Sequence, residues 1–508
     1  MASNIVDRVG KPRLDKYQRL VCRLYEPLVL LLLEQPVQGP HVISNHDNAS
    51  LTSSRRRLTK NLAYICDWDK GGRTTTSIAI EDSEHCYMFW VASNQDHGQE
   101  ATDAKVGASD FLRIILQHLQ DTTREPNPNA TWLRNQEDTC ARACTAFASR
   151  RIKKEEKILS NMAKRCLDYV GNTSFDHGNI AGAKINELKP WLRQFNFQSR
   201  ESGYEKCMLA YDARNDPQMD TLRRLGQEVV DNPGAKPIVL AASTVRHFVG
   251  RLAEHIRTAK QLIEDALRVR HVFDVFQVTT IEPPACVTPP EADSHTTLDG
   301  IFKRIFQSGD RNLPGFQFGL SRLKEHACIE AKIKEKYDEI QAKPPIVHSE
   351  IQVLEHFHRN ELQFANNDRF VGTSKFSCFC CKLYFRHHPL KPVEPDSHEQ
   401  VYLNWGPIAL PEGSFDPLYL EQRDIINPLV RDLRVAVLQL LRDKRIPGFR
   451  HPNSVTGVTQ SSDGLGYLND ERKENHVVES FTSEAESEAE SEGGVALLSG
   501  HFIVDPLR

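Results

Sequence analysis

Three cysteines fall within four positions in K-F-S-C-F-C-C-K-L-Y-F, residues 375–385, and this cluster limits what the chain can become more than any other feature. Twelve cysteines in 508 residues are too few for a disulfide scaffold. The first residues mix Asp7 and Asp15 with Arg8, Lys11, Arg13 and Lys16 and lack the apolar block of a secretory signal. Reduced thiols and an intracellular location, cytoplasmic or nuclear, are therefore expected. Metal binding, catalysis and core packing remain as uses for the sulfur. Nine other cysteines are scattered; Cys140 and Cys144 stand one helical turn apart, and with no His or acid at ligand spacing beside them they read as core filling.

Thirty residues before Cys378, the stretch P-P-I-V-H-S-E-I-Q-V-L-E-H-F supplies His348 and Glu350 after Pro344 and Pro345. Ile351, Val353, Leu354 and Phe357 follow at helical spacing, so His348 and Glu350 belong to a helix entrance. Two positions apart inside a helix point to opposite sides, whereas the extended dihedrals of an entrance residue let both side chains face one point. A second helix starting near Cys378 puts Cys378 and Cys381 on one face. Helix N–H groups and the helix dipole there lower the cost of ionised sulfur, the form that binds metal. One imidazole and two thiolates are three ligands with a fourth position open, the pattern of catalytic zinc. Glu350 beside them suits a proton shuttle, and H-x-E followed by C-x-x-C is the signature of zinc nucleobase deaminases. Cys380, between the two sulfurs, reads as packing. A closed structural site built from Cys378, Cys381 and His387 or His388, completed by His348, is the competing arrangement. Tyr402 and Trp405 could stack on a flat ring or fill a core. His398, Lys375 and Ser374 are candidate polar contacts to substrate, with solvated side chains as the alternative.

The chain resembles the OTT-type deaminase-like family, abundant in filamentous fungi, within the cytidine deaminase-like superfamily. The resemblance lies in H-S-E, in S-C-F-C-C and in D-S-H-E-Q-V-Y-L-N-W-G-P, and covers roughly residues 310–445. It implies an α/β fold, a three-layer α/β/α domain with a mixed sheet, in which zinc lies between two helix starts. Carried over, His348, Cys378 and Cys381 would be the ligands and Glu350 the acid/base, acting on a nucleobase, nucleoside or nucleic acid. Ser377 stands where the superfamily usually has a proline.

Composition along the chain suggests four regions: a mostly helical 1–280 of unassigned role, a Pro-rich linker at 281–300, the zinc domain at 301–445 and an acidic tail at 446–508. The helical reading rests on amphipathic stretches such as the stripe Val245, Val249, Leu252, Ile256 and Leu262. A strand pair is expected near residues 63–93 around Gly71–Gly72, and Pro428 is expected in the first turn of the last helix. The tail's S-E-A-E-S-E-A-E-S-E-G-G cannot bury enough apolar surface to offset ordering entropy, so disorder is expected there. From Asp470 onward the net charge is −7, leaving +3 on the preceding residues, so no basic footprint advertises nucleic-acid binding. The basic runs at 54–57 and 150–154 resemble nuclear import signals, with solvated helix faces as the alternative. The densest apolar run, Pro27–Leu33, falls short of the roughly 20 residues that cross a bilayer and reads as a buried helix, so no membrane partner is expected. Protein partners are unassigned. A deaminase-fold binding module without turnover is the second functional reading, resting on the large helical region, Ser377 and the acidic tail.

Overall fold

The computed structural model describes residues 14–33, 50–94, 107–171, 182–198, 200–227, 236–306, 309, 316–325, 328–442 and 494–496. Apart from Gly494–Ala496, the expected disordered tail lies outside these residues. Two helices come first, α1 (Lys16–Leu33) and α2 (Leu51–Cys66), then a hairpin of β1 (Thr76–Asp82) and β2 (Tyr87–Ser93). Seven helices follow: α3 (Ala108–Arg124), α4 (Ala130–Phe147), α5 (Ser149–Gly171), α6 (Gly182–Arg193), α7 (Gly203–Ala213), α8 (Gln218–Gln227) and α9 (Lys236–Arg268). After β3 (Phe276–Thr280) come α10 (Leu298–Ile305), α11 (Phe316–Glu325), α12 (Ile329–Ala342) and α13 (Ser349–Arg359). The remaining elements are β4 (Gly372–Thr373), α14 (Phe379–His387), β5 (Gln400–Tyr402), α15 (Tyr419–Arg442) and β6 (Gly494–Ala496).

A mixed sheet of order β3-β2-β1-β4 divides the molecule, β3 running parallel to β2 and the other pairs antiparallel. Alternation along the hairpin sends its side chains into two cores. Ile78, Ile80, Phe89 and Val91 face the bundle of α2 to α9, while Ala79 and Ala92 face the layer of α1 and α10 to α15. Both layers are helical, so the architecture is α/β/α, as the resemblance implies. The second face carries small side chains, which lets α13 approach the strands closely: Ser77 and Ser349 hydroxyls meet at 2.8 Å. In the bundle, α9 is the central rod, contacted by α2, α4, α5, α7 and α8. Its buried Ala241, Ala242, Ala259 and Ala266 take little volume and allow those helices to pack close. Cys140 and Cys144 are buried in this core.

Four local expectations change. Residues 63–66 are the last turn of α2, because Leu58, Leu62 and Ile65 keep helical spacing behind a Ser50 cap that accepts the Ser53 N–H at 3.0 Å. The hairpin turns at Ser83–Cys86, where Ser83 N–H bonds Cys86 O at 3.1 Å, and the glycine pair lies in the α2–β1 loop, Gly71 with φ +117°. Pro428 sits inside α15, which starts earlier, where Asp416 Oδ1 accepts the Leu418 N–H at 3.0 Å. The basic runs are solvated only in part: Arg56 Nη2 pairs with Asp368 at 2.7 Å, Arg57 Nη2 pairs with Asp265 at 2.7 Å, and Arg151 is fully buried beside Asp67 and Glu155, while Arg150, Lys153 and Lys154 are exposed.

Packing also crosses the boundary expected at 281–300. Three of the four sheet strands precede it, Ile281 N–H extends the β3 ladder to Val91 O at 2.8 Å, and Tyr25 of α1 donates to Trp405 O at 3.0 Å. The proline-rich segment itself is an extended strap, bonded through Val287 N–H to Pro407 O at 3.0 Å and through Ala409 N–H to Ala285 O at 2.8 Å. Proline composition marks a change of backbone conformation there, since helix is forbidden but an edge ladder is not. Among the described residues no helix is long and apolar enough to cross a membrane.

Candidate metal centre

Two helix starts converge at one end of the sheet. The chain enters α13 from a parallel bridge, Ile346 N–H to Asn404 O at 2.8 Å and Gly406 N–H to Ile346 O at 3.2 Å. His348 is the N-cap, extended at φ −65°, ψ 146°, and its carbonyl accepts the first helical bond from Ile351 at 2.9 Å. Residues far upstream clamp this entrance: Asn94 Oδ1 accepts Ser349 N–H at 2.8 Å, Ser77 meets Ser349, and Gln352 Nε2 donates to Ser93 O at 3.0 Å. The ends of β1 and β2 thus fix where His348 and Glu350 stand.

Cys378 caps α14 in the same way, at φ −72°, ψ 167°, its sulfur accepting the Cys381 N–H at 3.4 Å. Ser377 ahead of it donates its N–H to Asp396 O at 2.9 Å and accepts from His398 N–H at 3.1 Å. Proline has no N–H to make the first of these bonds. A backbone bridge to 396–398 therefore holds the approach that a proline ring would otherwise stiffen.

His348, Cys378 and Cys381 are all buried, and they form the one cluster of at least three candidate metal ligands among the described residues, with ligand atoms within 4.8 Å of one another. His348 Nδ1 lies 3.7 Å from Cys378 Sγ and 3.4 Å from Cys381 Sγ. A tetrahedral zinc with Zn–N of about 2.05 Å and Zn–S of about 2.3 Å requires an N···S edge of about 3.6 Å. The two observed edges bracket that value, so the donor set fits zinc in both chemistry and spacing. Burial alone would raise both thiols. The hydrogen bond from Cys381 and the neighbouring His348 ring nevertheless draw Cys378 down to about 6, whereas burial and the Cys378 sulfur push Cys381 up. Glu350, 3% exposed in the first turn of α13, is buried near enough to Cys381 for its charge to add to the rise of that thiol.

Other side chains singled out from sequence are placed as follows. Cys380 is fully buried and faces the Tyr25 side of the core. His387 Nε2 lies 2.8 Å from Asp432, and buried His388 lies 3.3 Å from Glu355, so neither imidazole joins the sulfurs. Lys375 is half-buried with its amine 3.2 Å from Asp67 Oδ2 and bonded to Gly71 O, and Ser374 Oγ accepts Thr76 N–H at 3.1 Å. Both therefore serve the sheet behind the site. Tyr402 is half-buried, its ring centroid 6.4 Å from that of His348, and His398 lies edge-on to it at 5.8 Å with Nδ1 accepting Gln400 N–H at 3.0 Å. Trp405 has no exposed surface and donates its indole N–H to Cys381 Sγ at 3.1 Å. Sequence reasoning missed Ser77, Asn94 and this use of Trp405. The small-large alternation S-I-A-I of β1 was the available signal for a helix docked close on one face.

Residues 347–409 match a family model described as OTT_1508_deam-like deaminase. The match runs from Val347 to Ala409 and so includes both helix starts and the Trp405 segment. Neither the curated proteins nor the solved structures yielded a match.

Proposed function

We propose, from the match of residues 347–409 to this deaminase-like family model, that the protein is a zinc-dependent deaminase that hydrolyses the exocyclic amine of a nucleobase, nucleoside or nucleic acid. The observation that carries this reading is the convergence of His348 Nδ1 and the Cys378 and Cys381 sulfurs, and the buried Glu350 whose charge acts on Cys381 supports it. His348, Cys378 and Cys381 would hold the zinc. Zinc held by these ligands supplies Lewis acidity that lets water act as a nucleophile near neutral pH. The Glu350 carboxylate takes a proton from the attacking water and returns it to the ring nitrogen, and the second proton goes to the departing amine, which leaves as ammonia. Tyr402, whose ring lies near that of His348, and His398, edge-on to Tyr402, are the proposed contacts to the ring. The twelve cysteines, none of them in a disulfide, support a reducing location in cytoplasm or nucleus.

The burial of the centre, with His348 the most exposed of its groups at 8%, favours a second reading, a binding module whose zinc is structural. Glu350→Gln separates the two. Under the deaminase reading this variant keeps zinc and fold while ammonia release from nucleobase, nucleoside and single-stranded nucleic-acid substrates falls by about 10²–10⁴-fold. Turnover that survives the substitution unchanged removes Glu350 from the chemistry. Wild-type protein with full zinc and no turnover on any of these substrates leaves the binding module.

A further inference from the structure

Trp405 is the largest fully buried side chain among the described residues, and its indole points at a sulfur. An indole nitrogen can only donate, and a buried donor without a partner costs free energy, so the sulfur is the group that satisfies it. Cys381 accepts the bond at 3.1 Å; Cys378, by contrast, receives its N–H from the helix backbone at 3.4 Å. Each sulfur thus has one N–H donor of its own. Little around Trp405 can move. Its carbonyl accepts from Tyr25, its neighbour Gly406 bonds Ile346 two residues before His348, and Tyr384 packs against the indole at 6.3 Å. A Cβ at Gly406 would stand 2.6 Å from the Tyr25 hydroxyl and 2.7 Å from Cys286 Sγ, so the segment sits as close as a glycine allows. The same short segment therefore positions the imidazole, through Ile346, and one sulfur, through the indole.

We propose that Trp405 is a positioning residue for the metal centre: its indole N–H orients Cys381 Sγ and takes up part of the thiolate charge, holding the sulfur as a ligand while leaving the metal the more electron-poor. The proposal rests on the metal-binding reading given above. It assigns to Trp405 a role beyond core packing, and beyond the stacking role its aromatic ring suggests.

Two measurements test it without reference to turnover. In ¹¹³Cd-loaded wild-type protein with ¹⁵N-labelled indoles, a bond of this kind couples the metal to the indole proton through the sulfur. One of the five tryptophans is expected to show that coupling, and Trp405→Phe identifies it by its disappearance. In Trp405→Phe, zinc affinity measured against a chelator is expected to fall by about 10–100-fold, and the sulfur-to-cobalt charge-transfer band of the Co²⁺ form is expected to move to lower energy. Tyr384→Phe, which keeps the indole, is the control expected to leave both unchanged. Should Trp405→Phe fail to fold, the wild-type cadmium spectrum still decides. Cadmium bound without coupling to any indole, or an unchanged cobalt band in Trp405→Phe, overturns the role of Trp405 and leaves the metal reading standing. Wild-type protein that takes up no zinc, cobalt or cadmium overturns both.

Discussion

Glu355, one turn and a half beyond Glu350 on α13, offers a stability test whose size follows from its surroundings. The carboxylate accepts from Tyr384 Oη at 2.6 Å and Arg359 Nε at 2.9 Å, and His388 Nε2 lies 3.3 Å away. Burial by itself would raise its pKa; His388, the Arg359 charge and the Tyr384 hydrogen bond outweigh that and pull it from 4.5 to about 2. A carboxyl depressed on folding contributes stability that is complete above its unfolded pKa and is lost as pH falls through the folded value. At about 1.4 kcal/mol per pKa unit, the contribution at pH 7 is about 3 kcal/mol. Glu355→Gln keeps the shape and removes the charge. Urea unfolding at pH 7 is expected to show a loss of about 3 kcal/mol, with amides of α13 and α14 exchanging on the order of 100-fold faster where they open globally. The gap between variant and wild type is expected to close as pH falls from about 4.5 toward 2, because wild type then loses the same interaction. An equal stability at pH 7, or a difference that persists undiminished at low pH, refutes the assignment of Glu355 as the anionic tie between α13 and α14.

Two further substitutions address how distant residues set the site. Gly372→Ala places a Cβ 2.7 Å from the Thr59 carbonyl carbon and the Lys60 nitrogen; backbone there cannot swing aside, so a loss of about 1–3 kcal/mol in urea unfolding is expected. Ala79→Leu puts three extra carbons between β1 and the α13 layer, and overpacking of about 1–3 kcal/mol, together with weaker zinc retention against a chelator, is expected if that contact fixes His348. Wild-type zinc retention in Ala79→Leu would show that the strands do not position the centre.

Local chemistry made the centre legible. Pro344 and Pro345 forbid helix, the apolar spacing from Ile351 onward requires it, and the junction had to fall at His348; Cys378 repeats the logic thirty residues later. Neither inference needs knowledge of distant residues. The sheet was not legible in the same way, since β1 pairs with residues some 300 positions downstream at Gly372–Thr373 and nothing local in either segment names its partner. The sheet accordingly draws strands from both sides of residues 281–300, β1 to β3 before them and β4 after them. Side-chain direction was the other blind spot. Lys375 and Ser374 are near the cysteines in sequence, yet the strand carries them toward Asp67 and Thr76, while Trp405, distant in sequence, has its ring against the sulfur. Proximity along the chain predicts contact only when the backbone conformation is known.

The proposed chemistry requires a metal held by one imidazole and two sulfurs with a position left for water. X-ray absorption at the zinc edge of the purified protein, with metal content measured on the same sample, tests this most directly. One zinc per chain, with two sulfurs at about 2.3 Å and two lighter neighbours at about 2.0–2.1 Å, is the expected result, and Cys378→Ser should reduce the sulfur count to one or abolish binding. Zinc coordinated by three or four sulfurs, or a folded protein that retains none, would contradict it.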